Sequence, residues 1–205
     1  MDIVISKYKE DISWTKNFTK SKIFIYDKSG EDNGFINLPN VGREAHTYLT
    51  HIINNYDNLG QYTCFLQGNP FDGAKGHLGY DYSFIDNFNK NDDIFPLSYL
   101  LKCDLNGLPH HPNLELKRLI FDEFFLGYPN EVVFIVGAQF IVSKEAIRNR
   151  KREFYIKLLE QFDRTDIDNS TTGGGANTPG NKMPWVMERV WLYIFSQKLK
   201  SKYDV

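Results

Sequence analysis

The run Tyr62-Thr63-Cys64-Phe65-Leu66-Gln67-Gly68 constrains the fold more than any other part of the chain, because it is apolar on both of its faces. A strand with one wet face alternates apolar and polar residues. One that does not alternate has to be covered on both sides, and helices packed on the two faces of a mainly parallel sheet are the usual cover. The run stops at Gly68-Asn69-Pro70, a strong turn signal. Two earlier runs, "DIVISKY" (2–8) and "KIFIYDK" (22–28), are short, β-branched and aromatic, with room for a short helix between them. They read as a β-α-β opening. After a polar turn at 29–34, Asn40 takes an N-cap position and Ala45, Tyr48, Leu49, Ile52, Ile53 and Tyr56 fall on one helical face. Arg43, His46, Thr47, Thr50 and Asn54 fall on the other.

Residues 73–112 show no sustained period and are assigned loops and short helices. Downstream, 113–125 reads as a helix, 131–136 and 138–143 as strands parted by Gly137, and about 144–162 as a helix. The stretch 164–182 is polar and rich in Gly, Thr and Asn, which predicts a mobile loop or lid. A last helix begins near Met183 with Pro184 in its first turn. Strands alternating with helices argue for an α/β sheet protein with right-handed crossovers. At 205 residues the chain fits a single domain spanning 1–205, large enough to bury its own core.

Charge and cysteine content narrow the function classes. A formal net charge of -2 gives no reason to expect a nucleic-acid partner. Cys64 and Cys103 lie far apart inside apolar segments, as reduced buried thiols do, which favours a reducing compartment. The N-terminus has neither the pattern of a signal peptide nor that of an anchor, and no apolar run is long enough to span a bilayer, so a cytoplasmic protein is expected.

The residue that asks for a chemical explanation is Arg43. A helix N-terminus carries a partial positive charge and unpaired N–H groups, so a cation there is unfavourable by roughly 0.3–1 kcal/mol. Glu44 obeys that rule and Arg43 breaks it. Either "PNVGRE" is an anion seat, in which Gly42 admits a ligand to the backbone and Arg43 clamps it, or Arg43 is a solvated side chain paired with an acidic neighbour. Glu188 is the second candidate. In "PWVMERVW" every neighbour but Arg189 is apolar, and desolvation of that kind suits a general base; the competing reading is an ion pair with Arg189. His110-His111-Pro112 lacks an acidic partner at ligand-like spacing, and His46 and His51 are five apart rather than four, so none of them makes a metal site. No phosphate loop and no GxGxxG fingerprint is present. Asp72, in the turn after the central strand, stands where open α/β sheets place ligands.

Four blocks, "LPNVGREAHTYLTHIINNYDNL", "FLQGNPFD", "GAQFIVSKEAI" and "PWVMERVWLYIF", together resemble a microbial domain-of-unknown-function family whose members look like distant relatives of GT-A-fold glycosyltransferases. The likeness covers almost the whole chain. It implies a single GT-A-like domain with a mixed, mainly parallel sheet flanked by helices. It also implies transfer of a sugar from a nucleotide-sugar donor to a glycan or other hydroxyl acceptor. By that similarity Lys7 and Tyr8 lie beside the nucleotide and Asp27 faces its base or ribose. Asn40, Gly42 and Arg43 border the diphosphate, and Gln67, Asn69 and Gln139 line the substrate pocket. Glu188 takes the place of the base. The resemblance also implies a divalent cation, manganese or magnesium, but Gln67-Gly68-Asn69 stands where an Asp-x-Asp pair is expected. Either Asp72 substitutes for that pair or Arg43 and Lys7 neutralise the leaving group. Two rival readings stay open: a nucleotide-sugar or glycan-binding module without turnover, and a structural or assembly protein.

Overall fold

A computed structural model describes residues 1–71, 82–109, 113–164 and 182–203. Eight strands and six α-helices follow one another along them. The first half holds β1 (Asp2–Lys7), a 3-10 turn at Ser13–Asn17, β2 (Lys22–Asp27), β3 (Ile36–Asn37), α1 (Arg43–Asn55), β4 (Tyr62–Gln67), α2 (Tyr82–Asp86), β5 (Ile94–Pro96) and β6 (Leu100–Cys103). The second holds a π-helical turn at Lys117–Phe121 running into α3 (Asp122–Phe124), then β7 (Val132–Ile135), β8 (Phe140–Ser143), α4 (Lys144–Arg148), α5 (Arg152–Glu160) and α6 (Met183–Phe195). The architecture is α/β. Its main sheet has six strands in the order β3-β2-β1-β4-β8-β5, with β6 and β7 forming a separate antiparallel pair. The first four strands of that order run parallel, and β8 is antiparallel to both β4 and β5.

The doubly apolar run has the surroundings its composition demands. Phe65 joins Val4, Tyr26, Phe140 and Val142 on the face covered by α1, α5 and α6. Cys64 and Leu66 join Ile3, Ile5 and Ile141 on the other face, under Phe18, Ile85 and Leu97. Both cysteines are buried and free. On the first face an aromatic cluster links sheet to helix: the Tyr48 ring lies 4.7 Å from Phe65, and Trp191 stacks on Phe195 at 5.7 Å. Such pairs add about 0.5–1.5 kcal/mol each beyond area burial.

Several sequence expectations need correction. Asn40 is exposed and does not cap α1; Gly42 does, in the left-handed region at φ 66. Thr47, assigned to the polar face, is fully buried because its hydroxyl pairs with Ser6 Oγ of β1 at 2.9 Å. The helix expected over 113–125 starts only at Lys117. Glu115 is left-handed at φ 48, and the N–H groups of Leu114 and Leu116 turn back to the carbonyls of Asn106 and Leu105. The two strands around Gly137 belong to different sheets, since Gly137 and Ala138 are both left-handed and swing the chain from β7 to β8.

The helix expected over 144–162 is broken in two between Arg148 and Arg152. The break lets the buried Arg150 guanidinium donate to the carbonyls of Ile194 (3.1 Å), Ser196 (3.1 Å) and Leu199 (2.7 Å), satisfying the C-terminal end of α6. These charge-assisted bonds to otherwise orphaned carbonyls outweigh a continuous helix at that point. His110, His111 and Asp72 lie outside the described residues, as does all but the two ends of the loop predicted at 164–182. No helix among the described residues is long and apolar enough to cross a membrane.

Candidate functional site

Arg43 and Glu188 line one cavity, with a volume of about 330 Å³. It sits at the carboxyl end of β4, where Gln67 closes the strand, and between the N-terminal turns of α1 and α6. Its polar half is Arg43, Glu44, Gln67, Glu188 and Arg189; its apolar wall comes largely from Tyr99, Leu101 and Phe134 of the β6–β7 region, with Trp185 from α6. A crevice beyond the carboxyl ends of parallel strands is the common ligand position in open α/β sheets.

The N-terminus of α1 is built by two consecutive left-handed residues, Gly42 at φ 66 and Arg43 at φ 48. A β-carbon at Gly42 would lie 2.6 Å from the Phe162 ring and 2.7 Å from the β-carbon of His46, so glycine is required twice over there. The turn aims the Arg43 guanidinium across the cavity wall, where it sits 4.5 Å from the Trp185 ring centroid. Such a stack orients the cation without neutralising it. Beneath the turn, the buried Lys28 ammonium donates to the carbonyls of Val41 and Arg43. Burial holds Lys28 down to about 7 although Glu44 attracts it.

Glu188 follows the pairing alternative. Its Oε1 accepts the Gly137 N–H at 2.8 Å, and its Oε2 accepts the Arg189 guanidinium. Arg189 is 2% exposed and lies 3.9 Å over the Phe134 ring. Its Nε, buried beside the cavity, has no hydrogen-bond partner among the described residues. Gln67 donates to the Gly137 carbonyl at 2.9 Å, so one left-handed glycine ties β4 to α6 through both of its peptide groups.

Sequence reasoning passed over Glu44 as a rule-abiding first-turn acid. Burial, helped by the Glu188 carboxylate and opposed by its own backbone N–H and by Arg43 and Lys28, pushes its carboxyl up to about 7. The signal available was its place: two residues after a glycine cap, on the same turn as the anomalous arginine.

The other expected site residues that the structure describes do not line this cavity. Lys7 and Asp27, paired in register at the ends of β1 and β2, form a buried ion pair of 2.7 Å. Burial works to raise the Asp27 carboxyl, but the hydrogen bonds from Lys7, Ser29 and Asn33 prevail and hold it well below the usual carboxylate range. Tyr8 follows that pair, its N–H bonded to Glu10 at 2.6 Å. Asn69 accepts the Phe71 N–H at 3.3 Å in a local turn. Gln139 is buried and bridges the Gln67 N–H and the Pro70 carbonyl. Gln67, Asn69 and Gln139 thus serve the backbone at the β4 end. Among the described residues no three of His, Cys, Asp and Glu converge, so they do not fit the divalent cation that the resemblance implies.

These features define an α/β protein with a mixed, mostly parallel sheet and a polar-and-aromatic cavity at its strand ends. The family model described as "Protein of unknown function (DUF3431)" matches residues 3–91 and 102–204, and the chain belongs to that family. No curated protein and no solved structure matches it.

Proposed function

We propose that this protein is a GT-A-like glycosyltransferase that binds a nucleotide-sugar in the cavity and transfers the sugar to an acceptor hydroxyl. The observation that carries this reading is the convergence of Arg43 and Glu188, distant in sequence, on one cavity of about 330 Å³, within the usual range for small-molecule sites. An oriented guanidinium, free of ion pairs among the described residues, suits a diphosphate leaving group. The cavity's aromatic lining suits the apolar side of a sugar, and its carboxylates suit the hydroxyls. The sheet has the mixed, mainly parallel make-up that a GT-A fold requires.

The test is a thermal-shift panel of nucleotide-sugars with and without manganese, followed by an assay for nucleoside diphosphate release with varied acceptors. Stabilisation by a donor together with diphosphate release is the expected result. Stabilisation without release supports the alternative, a binding module, which the amides at Gln67 and Asn69 favour over an enzyme that needs an acidic pair there. A melting temperature unmoved by every donor refutes both.

A further inference from the structure

Two carboxylates line the cavity, and their surroundings differ. Each oxygen of Glu188 already has a donor, the Gly137 N–H on one and the Arg189 guanidinium on the other. Arg189, at 2% exposure, has Glu188 as its counter-charge, and a buried cation needs one. Both Glu188 oxygens are thus committed to holding the fold. Glu44 is half-buried on the same cavity and meets Arg43, Lys28 and Glu188 only through longer-range electrostatics. No side chain among the described residues hydrogen-bonds to its carboxylate. Its own backbone N–H bonds to the carboxylate, and the remaining acceptor positions face the cavity that Glu44 lines.

We propose that Glu44 is the general base of the cavity, taking the proton from the acceptor hydroxyl, while Glu188 holds Arg189 and the Gly137 peptide in place. The assignment rests on the transfer reading above. In the step, the acceptor oxygen bonds to the anomeric carbon as its proton passes to a Glu44 oxygen. The bond from that carbon to the diphosphate breaks, and its electron pair leaves on the diphosphate facing Arg43. The proton on Glu44 then returns to water. The groups facing Glu44 suit this cycle: Arg43 on its own turn, Tyr48 one turn along, Lys28 from the segment after β2, and Glu188 from α6. Its affinity for a proton, near neutrality, matches the poise a general base needs.

The experiment measures nucleoside diphosphate release from a nucleotide-sugar panel, with water or simple alcohols as acceptors, between about pH 5 and pH 9. It compares the wild type with Glu44→Gln, Glu44→Ala and Glu188→Gln, each checked for cooperative thermal unfolding and for a donor-induced thermal shift. The expected result is a wild-type rate that rises with pH through about 7, and a fall of roughly 10²–10⁴-fold in Glu44→Gln at unaltered donor binding. Added formate should restore part of the rate of Glu44→Ala, which a purely structural role would not allow. Glu188→Gln should keep the pH limb whatever its absolute rate. A Glu44→Gln enzyme with wild-type rate and pH limb, or a limb abolished by Glu188→Gln, overturns the assignment alone. A wild type that binds donors yet releases no diphosphate overturns the transfer reading and the assignment with it.

Discussion

Replacing Gly42 by alanine tests the architecture of the cavity at its most constrained backbone position. Two penalties combine. At φ 66 an L-residue is in the left-handed region, which costs roughly 1–2 kcal/mol. The new methyl would also lie 2.6 Å from the Phe162 ring and 2.7 Å from the His46 β-carbon, inside any real contact distance, and forcing an extra carbon into a packed site costs about 1–3 kcal/mol. The sum is about 2–5 kcal/mol. Gly30 supplies the control: its φ is 79, with nothing within 4 Å of an added β-carbon, so Gly30→Ala meets the backbone penalty alone. Urea denaturation of the two variants should show Gly42→Ala losing at least about 1 kcal/mol more than Gly30→Ala. The melting temperature of Gly42→Ala should fall by about 6–12 °C for a loss near 3 kcal/mol. Equal losses would refute the claim that Phe162 and His46 pack against this turn. A Gly42→Ala protein as stable as wild type would refute the left-handed cap as well.

Three further outcomes are expected. Asp27→Ala strands the buried Lys7 ammonium and should cost about 3–5 kcal/mol, while the double change with Lys7→Met should recover part of that loss; additive effects in a double-mutant cycle would show that the pair is not coupled. Arg43→Gly relieves left-handed strain of about 1 kcal/mol and forfeits a cation–π contact of about 0.5–1 kcal/mol, so stability should stay within about 1 kcal/mol of wild type. In the same variant, affinity for a nucleoside diphosphate should fall roughly 10–100-fold by calorimetric titration; undiminished affinity would remove Arg43 from the site. For Glu44 the folded-state pKa of about 7 lies above its ordinary value of 4.5, so its stabilising contribution is complete below about 4.5 and is lost as pH climbs through 7. His46 and His51, which burial holds down to about 4, act in the opposite sense between about 4 and 6.5, so the wild-type profile is a sum. The difference between Glu44→Gln and wild type isolates the glutamate: the variant should gain relative stability from about pH 4.5 to 7, and a difference flat across that window contradicts the burial of this carboxyl.

The parallel half of the sheet was legible because β1, β2 and β4 carry their burial in their composition: runs such as "YTCFLQ" admit few positions other than a covered strand. Helix ends were not, because the competing interactions come from distant residues. Nothing near Arg150 announces carbonyls more than forty positions away, and nothing near Glu115 announces Lys182, 67 positions on. At the site, Arg43 stood out because it defied a local electrostatic rule. Glu44 did not, because it obeyed the same rule, and its altered proton affinity arises from burial and from Glu188 across the cavity. Lys7 and Asp27 looked available in sequence since strand register, which makes them each other's partner, is a property of the assembled sheet.

The guanidinium of Arg150 locks the trailing end of α6, while the leading turns of the same helix carry Trp185, Glu188 and Arg189 into the cavity. The leading end is tied as well, through the Lys182 ammonium to the Asn113 carbonyl and the Glu115 carboxylate, so the rod is held at both ends and resists sliding along its axis. An incoming guest therefore meets groups whose axial positions are already fixed, and little of its binding energy is diverted into reorganising the host.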